Sequence, residues 1–430
     1  MLCHNCAKLI DFLKNIFHSE DFSRRHKTSP AAFTRNRKLP FHILILFFVN
    51  MVKGSCQDEL DHFFKVLTGA KTAVRAVTKA ALTKARKKLR HEAFIELSQS
   101  LGRFFYDNFP HRTWLGHVLL AIDGSTMKVP ETEENAMHFG TWRNRQLARI
   151  SQLFDVLNRI TIDAVIAPNS QGERELAAAH LPYIMPNDLV LLDRGYPAFW
   201  LFRLILDMNA NFCARLPVEL WKDAKRFLRS GKYQEILTLS PSAQALAKCL
   251  EMGASCEPIK VRLVRIERGG KPPQVLALSL LDENLYPYAD LLDLYENRWP
   301  IEEDYKALKL RLELENFSGK SVHSVYQDFH AKVFAKNLAT ALTHHINELE
   351  SLETISKKHR YRVNFTQTLS KLKDTMVLLF TEPRKRMIRI LGDFLAVLAR
   401  TLEPKRPDRT FPRNHKMLRK PFYPAYKPAR

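Results

Sequence analysis

Cysteine is scarce. The 430 residues hold six, Cys3, Cys6, Cys56, Cys213, Cys249 and Cys256, too few and too scattered for a disulfide framework. Cys3 and Cys6 form a lone CxxC with no second ligand pair at zinc-finger spacing, which reads as free thiols rather than a zinc site. Long apolar runs are missing as well. The longest, Phe41 to Val52, has 12 residues and is interrupted by His42 and Asn50. A membrane span needs about 20, so this stretch reads as a buried helix. The N-terminus lacks the order of basic region, apolar region and small-residue cleavage site, so no signal peptide is read and the expected compartment is cytoplasmic. There is no GxxxxGK[ST] and no GxSxG, which argues against an ATP-driven machine and a serine hydrolase. Acidic charge is also short, 45 Asp and Glu against 67 Lys and Arg, a net charge of +22. Such a balance calls for a polyanionic partner, nucleic acid or an anionic membrane surface.

The remainder is ordinary for a soluble globular chain, 46% hydrophobic and 26% charged, and its length suggests about two to four domains. The positive charge is unevenly spread. From Lys71 to Arg90 there are eight basic residues and no acidic one. Within that stretch Thr78 is placed to cap a helix whose apolar positions, Ala81, Leu82, Ala85 and Leu89, leave Lys84, Arg86, Lys87 and Lys88 largely on other faces. An earlier helix, Gln57 to Leu67, ends at Gly69, and the pair suits a helical DNA-binding region; a merely solvated basic face is the alternative. From Trp114 the period shortens. Strands are expected at His117 to Ile122, Arg149 to Leu157, Ile160 to Ile166, Asp188 to Leu192 and Asn211 to Leu216, with helices at Glu173 to Leu181 and Pro197 to Met208. That order predicts a mixed α/β sheet, antiparallel at its start and parallel at its finish. Residues 212–285 read as a mostly β insertion, and helical periodicity returns from about Tyr288. The last 26 residues, with nine basic residues, one acidic residue and five prolines, read as an extended arm that touches phosphates.

Three acidic positions stand out. Asp123 follows the first strand in AIDGSTMKVP, and Asp193 follows the fourth in LVLLDRGY. In open α/β sheets ligands gather beyond strand ends, where carboxylates can converge. The third, Glu302, lies in the helical run LYENRWPIEEDYKALKLRLELENF. At about 100° per residue, Tyr295, Arg298, Glu302 and Lys309 share one face within roughly 60°, with Lys306 close by and Asp304 pointing away. Pro300 disfavours helix at Trp299; if the helix restarts there, Glu302, Lys306 and Lys309 still share a face. Two Asp and one Glu holding two hard divalent cations about 3.5–4 Å apart would suit phosphodiester chemistry. Each acid also has a plain alternative, a turn residue for Asp123 and a solvated first-turn carboxylate for Glu302.

These residues resemble a known family. Tyr295, Arg298, Glu302 and Lys309 match the Y-(2)-R-(3)-E-(6)-K signature of DDE transposases of the insertion-sequence-four type, and DGST and DRGY look like the family's two Asp motifs. FTRNRKLPF, VTKAALTKARKKL and ENFSGKS look like the same family's text, so the resemblance covers about Phe33 to Ser321. It implies an α/β fold with a ribonuclease-H-like mixed-sheet core, interrupted by a mostly β insertion and flanked by helical N-terminal and C-terminal regions. On that reading the chain divides into a leader of unknown role (residues 1–32), a helical DNA-binding domain (33–110), a core in two parts (111–211 and 286–350) around the insertion (212–285), a C-terminal helical region (351–404) and a basic tail (405–430).

The resemblance also implies a reaction. Asp123, Asp193 and Glu302 would be catalytic and bind two Mg2+ ions, with Mn2+ a workable substitute. Tyr295, Arg298 and Lys309 would bind phosphates at the transposon end, with Lys306 beside them. Trp299 occupies the place of a base-stacking Trp, though a core position stays open. Partners would be double-stranded DNA, both inverted-repeat ends and target, and a second copy of the chain in a synaptic complex, on the bacterial nucleoid and with no membrane. Two alternatives remain open on sequence: a structure-specific nuclease without strand transfer, and a non-catalytic DNA-binding protein derived from a transposase.

Overall fold

The structure, a computed structural model, describes residues 2–35, 37–267, 272–352 and 361–404. The basic tail and its aromatics Phe411, Phe422, Tyr423 and Tyr426 lie outside the described residues, as does the side chain of Cys3.

Six helices lead: α1 (Leu2–His18), α2 (Glu20–His26), α3 (Phe41–Val49), α4 (Cys56–Thr68), α5 (Lys79–Arg86) and α6 (Glu92–Asn108). The 12-residue apolar run becomes α3, buried at eight positions, and among the described residues no helix is long and apolar enough to cross a membrane. Gly69 ends α4 in the left-handed conformation at φ 65°, and the Thr78 side chain accepts the Ala81 N–H at the start of α5.

The sheet region then alternates: β1 (Leu119–Lys128), α7 (Glu133–Phe139), β2 (Thr141–Trp142), β3 (Arg145–Asp155), β4 (Ile160–Pro168), α8 (Glu173–Ala179), β5 (Leu189–Leu192), α9 (Phe199–Asp207) and β6 (Asn211–Leu216). The order across this part is β4-β3-β1-β5-β6. The β4–β3 and β3–β1 pairs are antiparallel, and the β1–β5 and β5–β6 pairs parallel. This is the mixed sheet, antiparallel at its start and parallel at its finish, that the order of elements in the sequence predicts. Alternation divides its side chains between two apolar layers. Leu119, Ala121, Leu189 and Leu191 join one, and Leu120, Ile122, Val190 and Leu192 the other. Burial on both faces explains why β5 reads as an unbroken apolar LVLL.

Next come α10 (Lys222–Arg229), β7 (Gln234–Leu239), α11 (Ala243–Met252), β8 (Ile259–Ile266) and β9 (Gln274–Leu278). The stretch expected to be mostly β thus carries two helices, and its strands extend the core sheet, because β9 pairs antiparallel with β6. Finally α12 (Tyr288–Leu294), α13 (Pro300–Lys306), α14 (Val322–Leu352), β10 (Tyr361–Val363), α15 (Phe365–Thr381), α16 (Arg384–Ala399) and β11 (Leu402–Pro404) close the described chain.

Two differences from the sequence reading bear on the site. β1 does not end at Asp123; it runs on to Lys128, paired with β3 from Asp123↔Gln152 to Lys128↔Leu147. Polar DGSTMK carries no apolar strand signal, and cross-strand pairing sustains the strand instead. The run from Tyr288 to Phe317 is not one helix either. A 3-10 turn, Tyr295–Arg298, precedes α13, which restarts at Pro300, and a π turn follows at Ala307–Arg311. Pro300 lacks the N–H that an interior position needs and is suited to the first helical position.

Candidate active site

Strand register brings the two Asp together. Ile122 of β1 pairs with Leu192 of the parallel β5, so the next residues, Asp123 and Asp193, emerge at one level on neighbouring strands. Local backbone holds both: the Gly124 N–H donates to Asp123 Oδ1 at 2.9 Å, and the Arg194 N–H to Asp193 Oδ1 at 2.6 Å.

The third carboxylate arrives through Arg298. Its Nη2 stands 2.7 Å from Glu302 Oε1 and its Nη1 3.6 Å from Asp123 Oδ2. The Tyr295 hydroxyl donates to Asp193 Oδ1 at 3.0 Å, and the Tyr305 hydroxyl to the Asp123 carbonyl at 2.7 Å. One short segment therefore ties both Asp-bearing strands to the Glu helix. Asp304 does point away from this face, into the interior, where it meets Lys336 of α14 at 2.9 Å. Lys309, set by the π turn, donates to the Ser125 side chain and to the Thr126 carbonyl.

The family of transposase DDE domains matches residues 114–338, just over half of the chain, and spans all of these residues. This chain belongs to the transposase DDE family. It is 23% identical over 406 residues to the transposase InsG for insertion sequence element IS4 of Escherichia coli (strain K12), an alignment covering 92% of this chain and 89% of that one. A piggyBac transposase synaptic complex with hairpin DNA aligns with 90% of this chain and 85% of that one at TM-score 0.46 and 8% identity.

Electrostatics separate the transposase's two Asp. Burial pushes the Asp123 carboxyl up to about 6, against the pull of Arg298. Burial acts on Asp193 too, but the Arg194 N–H, Arg298 and the Tyr295 hydroxyl outweigh it and hold that carboxyl below its usual range. The family implies a divalent metal. Among the described residues no three His, Cys, Asp or Glu side chains stand close enough to hold an ion as they are, because the Arg298 guanidinium lies between Asp123 and Glu302. The donor set fits a hard cation nonetheless: carboxylate oxygens of Asp123 and Glu302 both face this one positive charge. Arg298 Nε and Nη1 are buried there with no hydrogen-bond partner among the described residues.

The other expected site residues divide. Trp299 is 45% exposed with Lys306 Nζ 5.7 Å from its ring centroid, so it is no core residue. Lys84, Lys87 and Lys88 are exposed. Arg86 is not available to DNA. It is buried, 3.1 Å from Asp328, and bonded to Gln327 and Ser318. Arg298 and Tyr295 are likewise turned to carboxylates rather than outward. Sequence reasoning missed Tyr196, the last residue of DRGY. Its buried hydroxyl has no hydrogen-bond partner among the described residues, and a Cβ at Gly124 would stand 3.3 Å from it. Glu173 at the start of α8, which on sequence reads with Glu175 as a first-turn carboxylate, also reaches the site, its Cγ 3.6 Å from the same Cβ. The glycine of DGST was the available signal, since it marks a close approach.

Proposed function

We propose that this chain is a cut-and-paste DNA transposase of the insertion-sequence-four type in which Asp123, Asp193 and Glu302 are the metal ligands. The observation that carries the reading is the meeting of the Asp123–Asp193 pair with Glu302 through Arg298, inside the segment that bears the four-residue signature. Two Mg2+ ions, or Mn2+ in their place, would supply activation of the attacking hydroxyl and stabilisation of the leaving oxygen. Tyr295 donates to the Asp193 carboxylate and Tyr305 to the Asp123 main-chain carbonyl, so both strands are tied to the segment that carries Glu302 before substrate arrives. Trp299 and Lys306 face solvent beside it and receive the strand end, the ring by stacking on a base and the ammonium on a phosphate. Two copies of the chain would pair two inverted-repeat ends before joining them to target DNA.

The test uses the full chain, a duplex carrying the element's own end, and Mg2+. Glu302→Gln should abolish strand cleavage, by 10³-fold or more on the order of other lost catalytic groups, while duplex binding stays within about twofold. Removing the ion with a chelator should do the same to the parent. Intact cleavage by Glu302→Gln would sink the assignment. Cut ends that never join a plasmid target would leave a nuclease in place of a transposase.

A further inference from the structure

The β1–β3 ladder does not stop at the carboxylates. It continues past Asp123 and is capped by a hairpin in which Trp142 pairs with Arg145 across two residues, Arg143 and Asn144. Both turn residues have positive φ, 47° and 58°, as a twist-matched two-residue turn requires. Asn accepts that conformation readily; Arg does not, and Gly is the residue that fits it best. A side chain poorly suited to this backbone thus stands at the tip of an exposed hairpin.

What stands there is chemically one-sided. Residues 141–145 are all exposed, Trp142 at 57%, with the Arg143 guanidinium 5.7 Å from its ring centroid. From Thr141 to Arg149 there are three arginines and no acidic residue. Arg149 is paired with Glu173 at 3.5 Å, but among the described residues neither Arg143 nor Arg145 makes an ion pair. Two guanidinium groups without ion pairs beside an exposed indole match the phosphates and the sugar or base faces of nucleic acid.

The ladder also sets the distance. Asp123 is level with Gln152, seven residues along β3 from Arg145, so the tip lies about 23 Å from the carboxylates at the strand rise. At about 3.4 Å per base pair, that is six or seven base pairs along a duplex.

We propose that the Trp142–Arg145 hairpin is a second DNA-contacting element, gripping duplex phosphates roughly six or seven base pairs from the cleaved bond. This rests on the transposase reading of the site and adds a contact to it. The hairpin grips through Arg143 and Arg145, and Trp142 braces Arg143 while lying against the sugar edge.

The experiment measures binding of the full chain to a linear duplex several helical turns long, by fluorescence anisotropy over a salt series, for the parent and for Arg143→Gly/Arg145→Ala. Glycine suits the turn, so the variant should keep a thermal midpoint at or above the parent's by circular dichroism. Its affinity should fall about tenfold, and its log–log salt slope should shrink by roughly two, one per lost phosphate contact. Hydroxyl-radical protection on a cognate end should vanish six or seven base pairs from the cut while persisting at it. A folded variant with unchanged affinity and slope overturns the hairpin proposal and leaves the active site untouched. A parent that binds no duplex at any salt overturns the DNA reading beneath it, and the proposal with it.

Discussion

The Arg86 guanidinium is enclosed on every side. Asp328 and Gln327 of α14 hold it by charge and hydrogen bond, and Phe48 lies 4.6 Å beneath it. A Cβ at Gly319 would stand 2.6 Å from its Nη1, so the glycine of ENFSGKS is part of the same enclosure. Breaking a buried pair leaves its partner charged and dry, which costs about 3–5 kcal/mol. Arg86→Ala should therefore lower stability by that amount in chemical denaturation without shifting the DNA salt slope of whatever stays folded. Lys87→Ala, one residue on and exposed, should leave stability within about 0.5 kcal/mol and reduce the slope by about one if it touches a phosphate. The opposite pattern would restore Arg86 to the DNA face. The two could not be told apart from sequence. Helical spacing locates a residue relative to its neighbours in α5, whereas the partner of Arg86 is 242 positions away. The same limit hid the inward turn of Arg298, whose carboxylate partner Asp123 belongs to another element, while the alignment of Glu302 with Arg298 one turn earlier was readable from spacing alone.

At the scale of elements, the strands that hold the two Asp were visible because burial on both faces writes itself as apolar runs. The continuation of β1 was not, because its polar residues are held by pairing with β3. The Glu helix was legible in its face and not in its breaks. Pro300 marked one, but the π turn at Ala307–Arg311 follows from packing and has no residue signature. The buried pair Asp304–Lys336 anchors α13 to α14, with Lys336 also donating to Thr161 of β4 and lying 4.7 Å over the Phe154 ring. Lys336→Met should cost about 3–5 kcal/mol by leaving Asp304 buried and unpaired. Pairing it with Asp304→Leu should recover most of that stability, since an apolar pair of similar size replaces a buried ion pair at little cost. If the pair serves to aim Glu302, the double variant will melt near the parent yet cleave more slowly at saturating Mg2+. Full cleavage by the restored double variant would mean that packing of Ile301 and Tyr305 suffices.

At the scale of the whole molecule, the first helix is not an appendage. Leu9, Ile10 and Leu13 of α1 are fully buried and Phe17 nearly so, stacked 4.7 Å from Phe380 of α15. Asp11 pairs with Arg384 of α16 at 2.8 Å, and Lys14 donates to the Glu382 carbonyl at 2.8 Å. The four apolar residues belong to the same apolar layer that packs on one face of the core sheet, where α6 and α14 meet β4. The leader thus ties the N-terminal helices to α15 and α16. Its sequence showed no sign of this, because Phe380, Glu382 and Arg384 are remote from it along the chain. Four apolar side chains at about 1.5–3 kcal/mol each amount to roughly 6–12 kcal/mol. A domain's entire margin is about 5–15 kcal/mol, so deletion of residues 1–18 should cost the fold and not merely a tail. The truncated chain should be insoluble or lack a cooperative melting transition in calorimetry, and should lose DNA binding and cleavage together. A soluble truncation that melts within a few degrees of the parent, with cleavage intact, would instead make α1 a dispensable cover. The charge of +22 then bears on a different step. Once the fold is secured by this apolar layer, basic surface adds affinity that salt removes, whereas the loss from deleting α1 should be the same at every salt concentration.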